Sequence, residues 1–176
     1  MMKKATAILL AVACHIVKAE TPNPTILQCH IHETGRVALV PPETEPPDDS
    51  WFPPPFPAFD FTFRIEDNAL FTGNIRTPLC STSSTTYIFA TYCHLKRSDY
   101  ISDWLGSTYS KDPTTIPFYK KYSGGYPSTT VIDRVNLTIE EETLTNRWWV
   151  TKDSKTRPFV LSVRTFGNCE IVKPKF

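Results

Sequence analysis

Short runs with strict two-residue alternation are the feature that most constrains the fold of this chain. The clearest run is Phe59–Ile65, Phe-Asp-Phe-Thr-Phe-Arg-Ile, in which every second residue is large and apolar. Because successive side chains of a strand point to opposite faces, this pattern predicts a strand with one buried and one solvated face. A second run, 26–32, places Leu27, Cys29 and Ile31 together on a core-facing side.

Other alternating or short apolar runs recur along the rest of the chain. They predict strands over 36–40, 69–72, 75–80, 85–93, 129–139, 144–151, 158–166 and 170–172. A total of about eight to ten short strands is typical of an all-β fold, either an antiparallel sandwich or a small barrel.

Polar and proline residues predict where these strands end. The segments 33–35, 140–142 and 152–155 are expected to turn the chain. Pro78 predicts an edge strand, because proline cannot donate a ladder hydrogen bond. One short helix is predicted over Ser98–Gly106, which starts with a capping serine and ends with glycine.

Residues 1–19 have the pattern of an export signal. Lys3 and Lys4 precede a short apolar run, and the segment ends in Val17-Lys18-Ala19. The run is shorter than the roughly 20 apolar residues that span a bilayer. We therefore expect residues 20–176 to form a single exported β domain, periplasmic or secreted, with no integral membrane segment. A lipoprotein signal ending at Cys14 is the alternative.

Four cysteines remain after such a leader is removed, and an even number in an exported chain indicates two disulfides. Four cysteines allow three pairings. We favour Cys29–Cys169, which would join the first strand to the last, and Cys80–Cys93, which would close a short local loop.

The composition argues against several classes of function. The formal charge is +1 and the chain has no basic block, which argues against nucleic-acid binding. Phosphate-binding loops, dinucleotide fingerprints and a Gly-x-Ser-x-Gly nucleophile turn are absent from the sequence. We therefore expect no cofactor, and a noncatalytic protein is favoured over an enzyme.

A proline-rich loop spans residues 41–57 and contains Trp51 and Phe52. Proline favours extended polyproline geometry, so the aromatic part of this loop can serve as a ligand for an aromatic groove. The alternative, which we favour, is that the aromatic residues pack back onto the strands, because large apolar patches are rarely left exposed.

A second long loop, Ser107–Pro127, combines aromatic residues with lysines and glycines. Tyrosine offers a large contact area and a polar group at low entropic cost, so the loop is a candidate contact surface. The same aromatic residues can instead plug one end of the fold. The candidate binding residues in this loop are Tyr109, Phe118, Tyr119, Tyr122, Tyr126, Lys120 and Lys121.

Three histidines provide a weaker hypothesis. His30 and His32 lie two apart on a predicted strand and therefore share a face. If His94 came close to them, the three could form a metal site. Solvent-facing histidines on an amphipathic strand are the favoured interpretation.

The C-terminal third contains Val131-Ile132-Asp133-Arg134-Val135 and later Phe166-Gly167-Asn168-Cys169-Glu170. These segments resemble a pattern in small exported bacterial proteins of uncharacterised function. In that pattern an Ile-Asp-Arg strand opens a hairpin and a Gly-x-Cys segment closes the chain. The resemblance implies export, strands and a terminal disulfide, and it brings no activity with it.

The sequence therefore favours an exported noncatalytic binding module that contacts an envelope or extracellular protein or glycan, such as an enzyme inhibitor. Two alternatives remain open. One is a small metal-assisted enzyme that uses the histidines, and the other is a structural accessory protein of the envelope or of a surface assembly.

Overall fold

The computed structural model describes residues 24–42, 44–47, 52, 54–111, 116–122 and 127–173. The predicted export signal lies outside these residues. The strands are β1 (Thr25–Leu39), β2 (Phe59–Glu66), β3 (Ala69–Thr72), β4 (Ile75–Thr82), β5 (Thr86–Ala90), β6 (Ser128–Asp133), β7 (Thr138–Val150) and β8 (Thr156–Val172). The helices are α1 (Arg97–Leu105) and the single-turn α2 (Pro117–Lys121).

The eight strands form a closed antiparallel barrel in which each strand pairs with its neighbours in the sequence. The barrel closes where β1 pairs with β8, from Ile26 opposite Val172 to Leu39 opposite Val160. The all-β prediction is confirmed, and of its two architectures the barrel is the one formed. No helix in the described ranges is long and apolar enough to cross a lipid bilayer.

The predicted turn at 33–35 is wrong, because β1 continues through it as one strand. The register against β8 shifts between Glu33 and Gly35, which is a β-bulge. Thr34 is the extra residue, and its hydroxyl donates to the carbonyl of Arg164 at 3.3 Å. The long β8 strand thus holds both halves of β1 in one ladder.

The predicted turn at 140–142 is also wrong, because these glutamates lie inside β7. The actual turn interrupts the predicted strand 129–139. The Asp133 carboxylate accepts the backbone N–H groups of Val135 at 2.8 Å and Asn136 at 3.0 Å. This Asx turn separates β6 from β7, and Leu137 lies there at a φ of 51°.

The two C-terminal strands predicted at 158–166 and 170–172 are a single strand, β8. The edge position predicted for Pro78 is wrong as well, because β4 pairs with β3 on one side and β5 on the other. The β4–β5 register shifts between Leu79 and Ser81, next to the proline. A bulge is one of the few places where a strand within a sheet tolerates proline.

A cluster of buried apolar side chains fills one end of the barrel. Its members come from six strands: Leu27, Cys29, Ile31, Phe63, Leu70, Phe89, Ile132 and Ile139. The Cys29–Cys169 disulfide joins β1 to β8 within this region, and Cys80–Cys93 forms the second disulfide. These are the two pairs that the sequence favoured.

The helices cover the outer face of the long strands at the other end. Trp104 of α1 is fully buried, and its indole N–H donates to the carbonyl of Phe159 in β8 at 2.9 Å. The predicted helix is confirmed with its bounds shifted by one residue, whereas α2 was predicted as loop. Together the helices leave the interior of the barrel unoccupied by their side chains.

Candidate functional site

The interior of the barrel contains a cavity of about 380 Å³ beyond the apolar cluster. Ile31 and Phe63 belong to both the cluster and the cavity lining, so the cluster forms the cavity floor. The mouth lies where β2 begins, at the exposed Phe59 opposite Ile31 of β1. An eight-stranded barrel is just wide enough to be filled by side chains or to hold one small ligand.

One wall of the cavity is aromatic. Phe59, Phe61 and Phe63 alternate along β2 and point inward. The rings of Phe61 and Phe63 lie 5.1 Å apart and those of Phe59 and Phe61 6.1 Å apart, which makes a continuous surface. Phe59, nearest the mouth, is 41% exposed. We call these three residues the phenylalanine wall.

The opposite wall, formed by β7 and β8, carries polar groups. Glu141, Thr143 and Thr145 alternate inward along β7, and Thr165 of β8 is paired with Glu141 in the ladder. Leu161 and Val163 interrupt this polar surface. The cavity is therefore mostly apolar with a few polar groups on one side, as in many small-molecule sites.

Glu141 is the deepest ionisable group on the polar wall. Burial raises the pKa of its carboxyl above the ordinary value, and a hydrogen bond from the Thr143 hydroxyl at 3.4 Å opposes this only in part. Within the described ranges, no lysine, arginine or histidine nitrogen forms an ion pair with this carboxylate. The neighbouring Glu142 points outward instead, to Arg97 and Ser162.

An ion pair between Glu33 and Arg36 lies at the mouth. Both side chains are mostly buried, and the β-bulge of β1 places them on the same inward face. Arg36 donates to the carbonyl of Pro54 at 3.0 Å, and the Phe56 N–H donates to Glu33 at 3.2 Å. The pair thus fastens the described part of the proline-rich loop to the mouth, and we call this contact the latch.

The ion pair of the latch shifts the pKa values of both its side chains. The hydrogen bond from Arg36 holds the pKa of the Glu33 carboxyl below its ordinary value, and Glu33 raises the pKa of Arg36. The Arg36 guanidinium also lies 5.7 Å from the centre of the Phe56 ring. Phe56 is 53% exposed and lines the cavity, so the loop contributes one aromatic side chain to the rim.

The proline-rich loop behaves in part as predicted. Phe52 packs edge-on against Phe159, with ring centres 6.3 Å apart, as expected for an aromatic residue that tucks back onto the strands. Trp51 lies outside the described residues.

Of the residues predicted in the second loop, Phe118 and Tyr122 are buried against α1. The Tyr122 hydroxyl and the Lys121 ammonium donate to the Asp103 carboxylate at 2.5 Å and 2.6 Å. The hydrogen bond from Lys121, and after it the one from Tyr122, lowers the pKa of the Asp103 carboxyl. Phe118 and Tyr122 pack on the outside of the barrel, against Leu144 of β7 and Val160 of β8, so they plug neither of its ends. Tyr126 and the side chain of Lys120 lie outside the described residues.

Among the described residues, Tyr109 and Tyr119 are the two predicted aromatic residues of this loop that remain substantially exposed, at 47% and 37%. Tyr109 lies edge-on to Trp148, with ring centres 5.3 Å apart, and Tyr119 lies 5.8 Å from Trp104. Because the rings of Trp104 and Trp148 are themselves in contact, tilted by 60° with their centres 4.8 Å apart, the tyrosines border one aromatic cluster on the outer surface.

The structure does not bring the three histidines together. His30 and His32 point outward from β1, where His30 bonds Asp60 at 2.8 Å and His32 contacts the Phe166 ring. His94 follows β5, four strands around the barrel. In the part of the chain that the structure describes, no group of three histidine, cysteine or acidic residues is placed to hold a metal ion. The three-histidine site is therefore not formed.

Sequence reasoning missed the cavity and its charged groups. The alternation of β2 identified the phenylalanine wall as a buried face but could not show that space remains in front of it. Glu141 was assigned to a turn because three consecutive glutamates resemble a solvated run. The signal that could have placed it inward is its position two residues after Ile139, on the same face of a strand.

The comparisons with known proteins add no constraint on this site. No protein-family model matches the chain, and comparison with curated proteins and with solved structures found no match. The resemblance to small exported bacterial proteins therefore stays an expectation from two short segments.

Proposed function

We propose that this protein is an exported, noncatalytic binding protein that holds a small, largely apolar molecule inside its barrel. The cavity in front of the phenylalanine wall carries the proposal. Small-molecule sites are typically concave, apolar and preformed, with a few polar groups that orient the ligand. This cavity has that composition, and the latch borders its entrance.

Export is supported by the leader pattern of residues 1–19 and by the two disulfides. Disulfides persist in oxidising compartments such as the periplasm or the extracellular space. A binding protein working there would carry or sequester its ligand outside the cytoplasm. The same setting suits a binding module that works at the envelope or outside the cell, as the sequence favoured.

The test is binding of a neutral apolar fluorophore, the naphthalene ketone prodan. We expect saturable binding by the native chain with a blue-shifted emission, and competition by phenylbutanol. Val163→Trp fills the cavity with an indole and should weaken prodan binding at least tenfold, because Val163 lines the cavity from β8.

Val37→Trp is the matched control. Val37 lies on β1 opposite Ser162, the residue before Val163, and its side chain is 55% exposed on the outer face of the barrel. It should bind prodan like the native chain. Circular dichroism must show that both variants fold, and Thr145→Phe replaces Val163→Trp if the latter does not. Equal prodan affinity in a folded cavity-filled variant, or no saturable binding by the native chain, contradicts the proposal.

A second candidate function rests on the exposed tyrosines of the outer aromatic cluster. Tyr109 and Tyr119 flank the contacting pair Trp104 and Trp148, an arrangement suited to stacking on a sugar ring or on an apolar protein side chain. The double variant Tyr109→Ala/Tyr119→Ala should then lose capture of a glycan or protein partner but keep prodan binding. Retained capture excludes this surface.

A further inference from the structure

The polar wall narrows the chemistry of the ligand. Among the described residues, four ionisable side chains face the cavity or its mouth: Glu33, Arg36, Glu141 and Arg147. Glu33 and Arg36 neutralise each other in the latch. Arg147 lies six residues beyond Glu141 on the same strand, or about 20 Å at the usual rise per residue, and its side chain is exposed near the mouth.

Glu141 therefore lies in the cavity with a hydroxyl as its only side-chain partner among the described residues. Its ladder neighbours on either side are Thr130 and Thr165, which are uncharged. A carboxylate that is partly removed from water and left without a cation carries a free-energy cost, and a cation supplied by a ligand relieves that cost.

The phenylalanine wall faces this carboxylate across the cavity. Aromatic faces attract cations as well as apolar groups, so a positively charged headgroup is favoured by both walls. A carboxylate ligand would instead meet Glu141 as a like charge, and a purely apolar ligand would leave it unpaired.

Resting on the proposed function, the geometry points to an amphipathic primary amine as the ligand. Its ammonium group would donate to the Glu141 carboxylate and to the neighbouring threonine hydroxyls. Its apolar or aromatic body would lie along Phe59, Phe61 and Phe63.

The test compares three probes that share one apolar body, namely phenylbutylamine, phenylbutanol and phenylbutyrate, in displacement of prodan at neutral pH. The native chain should bind the amine roughly tenfold more tightly than the alcohol, which corresponds to about 1.4 kcal/mol. Phenylbutyrate should bind more weakly than the alcohol.

Glu141→Gln should remove the preference for the amine while phenylbutanol binding changes less than twofold. Glu140→Gln is the matched control, because Glu140 is the adjacent residue on the exposed outer face of the same strand. That variant should keep the preference.

The outcomes separate this inference from the function on which it rests. If phenylbutanol displaces prodan and the native chain shows no preference for the amine, the amine assignment is wrong and the binding function stands. A preference that survives Glu141→Gln also overturns the assignment. If neither prodan nor phenylbutanol binds the native chain, the proposed function itself fails.

Discussion

At the scale of single residues, Gly167 shows how tightly the barrel interior is packed at its filled end. A Cβ atom at this position would lie 2.9 Å from the His30 carbonyl oxygen and 3.0 Å from the side chains of Ile31 and Ile139. The carbonyl belongs to the β1–β8 ladder and cannot move without breaking it. Glycine is therefore required here by close approach of the neighbouring strand.

We expect Gly167→Ala to lower the free energy of unfolding by about 1–3 kcal/mol, the usual cost of overpacking. Urea denaturation followed by tryptophan fluorescence measures the change. Gly35→Ala is the control, because a Cβ at Gly35 has nothing within 4 Å, and its effect should stay within about 0.5 kcal/mol. Equal losses in the two variants would show that the contacts around Gly167 relax freely.

Whereas the fold requires Gly167, Glu141 is a residue whose ionised side chain lowers the stability of the fold. Burial raises the pKa of its carboxyl, so folding favours the protonated form. For an acid whose pKa is higher in the folded state, the free energy of unfolding falls as the pH rises from the pKa of the unfolded chain, near 4.5, to the pKa of the folded protein. Above the folded-state pKa, the free energy of unfolding stays at this lowered level. Such a cost at neutral pH is consistent with a residue kept for a ligand rather than for the fold.

At the scale of strands and helices, the sequence predicted elements well where one face is uniformly apolar. The alternation of Phe59–Ile65 predicted β2 almost to its ends, and Ser98–Gly106 predicted α1 to within one residue. The sequence-based prediction failed where pairing with another strand, rather than the local sequence, determines the conformation. Polar residues 33–35 resemble a turn, but in contact with β8 they form a bulge inside β1.

The candidate site was less predictable than the fold, because a cavity is a property of several strands together. No local pattern shows that the side chains around Glu141 leave space between them. Aromatic residues of the 107–127 loop resembled a binding surface by composition. Phe118 and Tyr122 instead supply the core between α1 and the barrel, which only the packing reveals.

The latch acts between secondary-structure elements, because it holds the loop between β1 and β2 against β1. We expect Glu33→Gln to speed both association and dissociation of prodan several-fold and to change its affinity little. The variant removes the charge that holds Arg36 and weakens the acceptor of the Phe56 N–H. Stopped-flow fluorescence measures both rates.

Glu66→Gln is the control for this experiment, since Glu66 pairs with Arg64 at 3.3 Å on the other end of β2. It should leave the rates unchanged. Arg36 keeps the pKa of the Glu33 carboxyl below its ordinary value. The latch is therefore fully formed above the ordinary pKa of glutamate, and it is lost only as the pH falls through the lowered pKa of Glu33. Unchanged rates in Glu33→Gln would mean that the loop does not limit entry.

At the scale of the whole molecule, the barrel depends on one long-range seam. Neighbouring strands elsewhere are adjacent in sequence, whereas β1 and β8 are the first and last strands and must meet to close the barrel. The Cys29–Cys169 disulfide lies in this seam between residues directly opposed in the ladder, with a sequence separation of 140. It therefore restricts the unfolded chain far more than the local Cys80–Cys93 bond, whose separation is 13.

The loop-entropy model gives about 5 kcal/mol for the long closure and about 3 kcal/mol for the short one. We expect Cys29→Ser/Cys169→Ser to lower the free energy of unfolding by more than Cys80→Ser/Cys93→Ser, measured by urea denaturation of both double variants. The first variant should also lose prodan binding at lower urea concentrations, because the cavity exists only while the seam is closed. If the local pair proved the more stabilising of the two, closure of the barrel would depend on strand pairing and core packing rather than on the covalent bond across its seam.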